Sequence, residues 1–537
     1  MNHIHSSTKE YDAIIVGAGF SGLYQLICLR DQLGLKCVVL ETGDDVGGTW
    51  YWNRYPGARC DTESHAYSYY FSDELLKEWT WSERYPGHEE IREYMNFVAS
   101  KFDIKKDILF KQKVTSAKFI EDSNNWNVKT DNNNFKCKFL ITAVGCLSNT
   151  NIPKIKGLKD FEGSYYHTGN WPKDGVSFVN KTVGQIGTGS TGIQAVPVIA
   201  AEAKHLTVFQ RTANYSIPAR NKPLTEEFKK QVKENFQYYR DLIKRTPNAH
   251  PFEISDRLVS DVNSVEMNNI YEKAWEKGGL QFRAVFNDLV TNLEANNTAS
   301  DFIKNKINKT VLNKKFASIL SDIDHPYAGK RPPIDSNYFE TYNRDNVNLI
   351  DLRRDPIKCI NKNGIETEKN YIDLDIIVFA TGYDAMTGPL LNMNIFGKNN
   401  LKLKNVWKEG PKTFLGLQIP GFPNLFTITG PGSPSVLTNM PMAIEQHVEW
   451  IRDCISFMIK KEYTTIEASS NLAKKWGEEV NRVANKTLLP SVKHSWYLGA
   501  NIPGKPRVFM PYAGGLPRYS KICDDVKKNN FEDFILA

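Results

Sequence analysis

The chain has 537 residues, 41% hydrophobic and 24% charged, too long for one ordinary core, which predicts two or three globular domains. No stretch approaches the apolar length of a membrane span, so no membrane partner is expected. The formal net charge of +7 comes from acidic and basic residues mixed along the chain, which argues against nucleic acid as a partner and leaves a mild attraction for phosphate-bearing ligands.

Residues 1–10 are polar and lack the pattern of a signal peptide, which predicts a cytoplasmic protein. Eight cysteines are scattered without a CxxC pair or metal-ligand spacing, so reduced, mostly buried thiols and no metal are expected. Residues 12–16, Asp-Ala-Ile-Ile-Val, read as a strand. Gly17-Ala-Gly19-Phe-Ser-Gly22 follows, then apolar residues at Leu23, Leu26, Ile27 and Leu33. Strand, glycine turn and helix in that order predict a dinucleotide-binding unit. The first glycine makes the turn, the second lets backbone approach a pyrophosphate, and the third lets helix pack on strand. The N–H groups at the helix start then face the phosphates. Taken alone, the motif is equally a glycine-rich turn without a ligand. A second strand at 36–40 ends in Glu41, about 20 residues on, where an acid binds the ribose of an unphosphorylated adenosine. FAD or NAD fits this half.

Residues 139–145 read as a buried strand ending in glycine. The nucleotide pattern then recurs: a strand at 182–186, the turn Gly187-Thr188-Gly189-Ser190-Thr-Gly192, and a strand at 205–209 ending in Gln210-Arg211. An acid there would repel a ribose phosphate, whereas Arg211 can bind one, so the second nucleotide is expected to be NADPH. Pro197 predicts a kink in the intervening helix. Residues 214–327 turn to a Lys/Glu/Asn-rich helical pattern, and 376–382 form another strand ending in glycine. The fold class expected is α/β, with two Rossmann-like dinucleotide-binding domains. Residues 1–145 and 384–537 are expected to bind FAD, residues 146–213 and 328–383, with linkers, to bind NADP, and 214–327 to form a helical insertion. FAD beside NADPH implies hydride transfer to the flavin. With no CxxC pair to receive the electrons, oxygen is the natural acceptor.

The segment Phe161-Glu-Gly163-Ser-Tyr-Tyr-His167-Thr-Gly-Asn-Trp171-Pro172 resembles the fingerprint of Baeyer-Villiger monooxygenases. Gly47-Gly48-Thr49-Trp50-Tyr-Trp-Asn-Arg-Tyr55-Pro56-Gly57-Ala-Arg-Cys-Asp61 resembles a second signature of that family, in the expected order. Lys330-Arg331-Pro332, residues 380–384, 430–434 and 496–503 continue the resemblance, with cyclohexanone monooxygenases as the subgroup. It implies that NADPH reduces FAD and that one atom of O2 is inserted into a ketone to give an ester or lactone. It further implies that Arg331 is catalytic with Asp61 beside it, that Thr49, Trp50 and Asp61 belong to the cofactor site, that Arg211 and Lys330 hold the NADPH phosphate, and that Trp496 closes against the nicotinamide. His167, in a polar, Tyr-rich loop of the linker, is assigned a conformational role. The chain departs from cyclohexanone-type relatives at Pro333-Ile334, and residues 432–439 look closer to the phenylacetone-type branch. Ketone and O2 are the expected small-molecule partners of a monomer or weak homo-oligomer. An N-hydroxylating or sulfur-oxidising flavin monooxygenase is the alternative, and a nucleotide-sensing protein a more distant one.

Overall fold

Residues 8–537 are described by a computed structural model; residues 1–7 of the polar N-terminal segment lie outside the described residues. The apolar run at 12–16 is the buried half of the strand Lys9–Val16. It pairs in parallel with Cys37–Leu40 on one side and Asn134–Thr142 on the other. Strands covered on both faces read as continuous apolar runs rather than alternating ones, and Cys37–Leu40 is buried at every residue. The sheet has eight strands, including an antiparallel excursion through Val114–Ile120 and Asn125–Thr130. Leu425–Thr427 joins it alongside Asn134–Thr142, so the last third of the chain returns to complete the first sheet. The long helix Met440–Lys460 packs with Phe20–Ile27 in the same core.

A second sheet of five strands is wholly parallel, in the order Val347–Asp351, His205–Gln210, Thr182–Ile186, Ile376–Phe379, Ser164–His167. Helix Ser190–Glu202 follows the second glycine turn and continues through Pro197 as one element of 13 residues. Its apolar face, Ile193, Val196, Ile199 and Ala200, packs into a core shared with the helices Ser264–Lys277 and Leu293–Thr310.

His167 lies elsewhere than in the polar loop that its Tyr-rich surroundings suggest. It ends the edge strand of the second sheet, 4% exposed, and its Nδ1 accepts the Gly169 N–H at 3.0 Å. Burial pushes its pKa down to about 4, so the ring is neutral near pH 7. Trp171 is buried against Phe178 and Tyr166.

The two sheets are joined by the Tyr55-Pro56-Gly57 segment. The Tyr55 hydroxyl donates to Gln194 Oε1 at 2.7 Å, and Gln194 Nε2 donates to the Arg59 carbonyl at 3.1 Å. Gly57 has φ +79°, and a Cβ there would stand 2.5 Å from the Gln194 carbonyl oxygen. This close approach demands glycine. Gly57→Ala is therefore expected to cost about 1–3 kcal/mol, against about 1 kcal/mol for Tyr55→Phe, which removes one hydrogen bond. Thermal denaturation of the two variants beside the unaltered chain checks the order.

Candidate active site

Both glycine turns lie tight against neighbouring backbone. Gly17 and Gly187 have φ +106° and +110°, and a Cβ on either would meet the carbonyl of Ala143 or Ala380 within 2.6 Å. Gly22 and Gly192 let their helices sit on the preceding strand: a Cβ there would fall 1.8 and 2.3 Å from the Gly17 and Gly187 carbonyls. Gly189 faces open space, with nothing within 4 Å of the Cβ position. The helices start at Phe20 and Ser190 without a side-chain cap, which leaves their first N–H groups free for an anion.

Glu41 ends its strand as expected and is 6% exposed. Its carboxylate accepts the Ala18 N–H at 2.7 Å and the Gly43 N–H at 2.6 Å, bracing the first turn. Burial raises its pKa, opposed by those backbone donors. Thr49 is exposed at the start of a one-turn helix, and Gly48 before it abuts Gly19. Trp50 is buried, its indole N–H on the Tyr67 hydroxyl at 3.0 Å. This side of the site fits a flavin dinucleotide: uncapped amides at a helix start beside a glycine turn, with an acid at the end of the next strand.

At the second turn Thr188 is buried, with its hydroxyl on the Thr212 carbonyl at 2.9 Å, while Ser190 is exposed. Arg211 is exposed beyond the strand end, and Lys330 lies within its field. Lys330 is held below its usual range first by burial and then by the Arg211 charge, with Asp324 opposing. Asp324 is engaged with His325 Nδ1 at 3.2 Å. Asp324 offsets part of the field on Lys330, but the two cations still repel each other, and a phosphate between them removes that repulsion. The pair thus fits the phosphate-bearing nicotinamide cofactor.

Asp61 and Arg331, 270 residues apart, meet between the two halves. Arg331 Nε donates to Asp61 Oδ2 at 2.5 Å and Nη2 to Oδ1 at 2.8 Å, a bidentate pair. Nη2 also reaches the Thr62 hydroxyl at 3.4 Å, and Nη1 donates to the Val436 carbonyl at 2.9 Å. Burial works to lower the Arg331 pKa, but the Asp61 carboxylate outweighs it and raises the value. The guanidinium stays charged and fixed in orientation, yet its side chain is still 21% exposed. Pro332 and Pro333 stiffen the loop that carries it.

Trp496 is half-buried on a short turn, edge-on to Tyr497 with ring centroids 4.6 Å apart. It is Tyr497, absent from the sequence reading, whose fully buried hydroxyl lies within the fields of Arg331 and Arg283. Burial pushes that hydroxyl up to about 12 despite both cations. Thr62 and Val436 were also unforeseen. Thr62 follows a motif aspartate, but Val436 contributes only a carbonyl, which carries no sequence signal.

The site therefore combines two glycine turns suited to phosphate with a guanidinium that can stabilise negative charge on an oxygen. A family model described as "Flavin-binding monooxygenase-like" matches residues 11–236. Cyclohexanone 1,2-monooxygenase of an Acinetobacter species is 42% identical over 534 residues, covering 98% of this chain and 97% of the relative. Among solved structures, a closed form of cyclohexanone monooxygenase superposes with a TM-score of 0.97 at 38% identity, covering 99% of this chain and 100% of that one. An oxidized steroid monooxygenase bound to NADP superposes with a TM-score of 0.93 at 45% identity, covering 98% of this chain and 99% of that one. With relatives of this similarity matching along their whole length, the chain belongs to the flavin-dependent Baeyer-Villiger monooxygenases.

Proposed function

We propose that this enzyme lays FAD along Gly17, Gly19, Gly22 and Glu41, lays NADPH along the 187–192 turn with its phosphate on Arg211 and Lys330, and oxygenates ketones beside Arg331. Ketone, O2, NADPH and a proton give an ester or lactone, NADP⁺ and water. The observation that carries this reading is the bidentate Arg331–Asp61 pair at the cleft between the glycine turns. FAD reduced by NADPH supplies the activation of O2 and the delivery of one oxygen atom.

The chain's own residues perform the rest. Arg331 holds a permanent positive charge where a ketone oxygen becomes anionic, and its orientation is fixed before the reaction begins. Asp61 is the positioning residue: it engages one edge of the guanidinium and leaves the exposed part to the substrate. Trp496, half-exposed beside Tyr497, takes the role of covering the nicotinamide and excluding water. Cyclic ketones such as cyclohexanone are the first substrates to offer. Free cysteines, seven of eight buried, accord with a cytoplasmic enzyme, here read as a monomer or weak homo-oligomer.

Arg331→Ala is expected to retain bound FAD and to lose on the order of 10²–10³-fold in ester formation. Arg331→Lys is expected not to restore the rate, because an ammonium cannot reproduce the two-point contact with Asp61. Product analysis by mass spectrometry checks both, and ester formation undiminished in Arg331→Ala would overturn the assignment. Arg211→Ala and Lys330→Ala are each expected to raise KM for NADPH about tenfold while leaving KM for NADH nearly unchanged. Steady-state kinetics with the two cofactors reads the difference directly.

A further inference from the structure

Beside the Arg331–Asp61 pair lies a second guanidinium without an evident task. Arg283 belongs to the short turn Leu280–Ala284, in which Phe282 and Ala284 are buried and Arg283 is half-buried. Its Nη2 donates to Asn248 Oδ1, and Asn248 Nδ2 donates to the Leu437 carbonyl at 2.6 Å. Leu437 is the neighbour of Val436, whose carbonyl receives Arg331 Nη1. Adjacent carbonyls of the Ser435–Leu437 turn thus anchor both arginines on one wall of the cleft.

Their charges are not balanced alike. Asp61 neutralises Arg331, whereas among the described residues no carboxylate lies within the 4.0 Å ion-pair distance of Arg283. Apart from the cationic Arg331, the groups around Arg283 are neutral. Asn248 is an amide, and the Tyr327 and Tyr497 hydroxyls are protonated. His250 is kept uncharged by burial and by the charges of Arg283 and Arg331. Tyr327 is fully buried, and its hydroxyl has no hydrogen-bond partner. Burial first, and the charge of Arg331 in addition, hold Arg283 below the usual arginine range. A partly buried cation with no counter-charge is costly until an anion arrives. The cofactor phosphate already has its own cations, Arg211 and Lys330, so the missing anion belongs to the substrate.

We infer that Arg283, held by Asn248, forms a subsite for an anionic substituent, so that the preferred substrates are ketones carrying a carboxylate remote from the carbonyl. This rests on the reading of Arg331 as the group facing the ketone oxygen. Arg331 then meets the charge that develops during the reaction, and Arg283 the charge the substrate brings. A guanidinium suits a carboxylate because its donors match both oxygens at once.

The test gives the FAD-loaded enzyme NADPH, oxygen and either a cyclohexanone bearing a ring carboxylate or its methyl ester. The acid is expected to exceed the ester in kcat/KM by about tenfold or more, chiefly through KM. Arg283→Lys is expected to keep part of that preference and Arg283→Met to abolish it. An ester turned over as well as the acid by the unaltered enzyme, or an unchanged ratio in Arg283→Met, overturns the inference. Should Arg283→Met fail to hold FAD, inhibition of cyclohexanone turnover in the unaltered enzyme decides. Tighter competition by cyclohexanecarboxylate than by cyclohexanecarboxamide supports the subsite, and equal competition overturns it. Failure of the underlying reading looks different: NADPH consumed with only hydrogen peroxide, and no ester or lactone from any ketone.

Discussion

Everything distinctive in this molecule turns on holding one guanidinium still between two nucleotide-binding halves. A free arginine carries several rotatable bonds, and ordering it costs up to about 2 kcal/mol of side-chain entropy. Here two bonds to Asp61 and one to the Val436 carbonyl meet that cost before any substrate arrives. The carboxylate both fixes the guanidinium and offsets the penalty of placing a cation in a half-buried cleft. The pair is thus an arrangement for chemistry more than for stability, since an ion pair that is about a fifth exposed is partly screened by water.

The same logic explains why the segment from Gly47 to Asp61 is so constrained. At one end, Gly48 abuts Gly19 of the first turn; in the middle, Gly57 lies under the Gln194 carbonyl of the second unit; at the far end, Asp61 holds Arg331. One stretch of chain therefore touches the first glycine turn, the helix that follows the second, and Arg331. Close packing couples such contacts, because a shift at any one of them moves its neighbours.

The nucleotide units were legible because glycine turns leave no substitute: positive φ and sub-3 Å approach at Gly17 and Gly187 restrict the residue type absolutely. Arg331 and Asp61 were legible only through motif resemblance, since neither spacing nor periodicity announces a contact across 270 residues. What escaped was the lining. Arg283 sits in a Lys/Glu/Asn-rich region whose text reads as solvated helix, and Tyr497 adjoins the tryptophan that drew attention first. His167 illustrates the opposite error. Its polar, aromatic neighbours read as a loop, but Tyr165 and Tyr166 precede it on an edge strand that pairs with Ile376–Phe379. Edge strands tolerate that mixed composition because one side lacks a partner.

The separation of Asp61 from Arg331 also sets an order of assembly during synthesis. Asp61 leaves the ribosome long before Arg331 does, and the first sheet lacks Leu425–Thr427 until still later. A chain whose decisive contacts span such distances gathers them late, after the local helices and turns have formed. The glycine turn and its helix are complete within the first thirty residues, yet the oxygen-handling cleft is among the last features to be built. A half-made chain can thus begin to shape its nucleotide cradle while it still has no place to react.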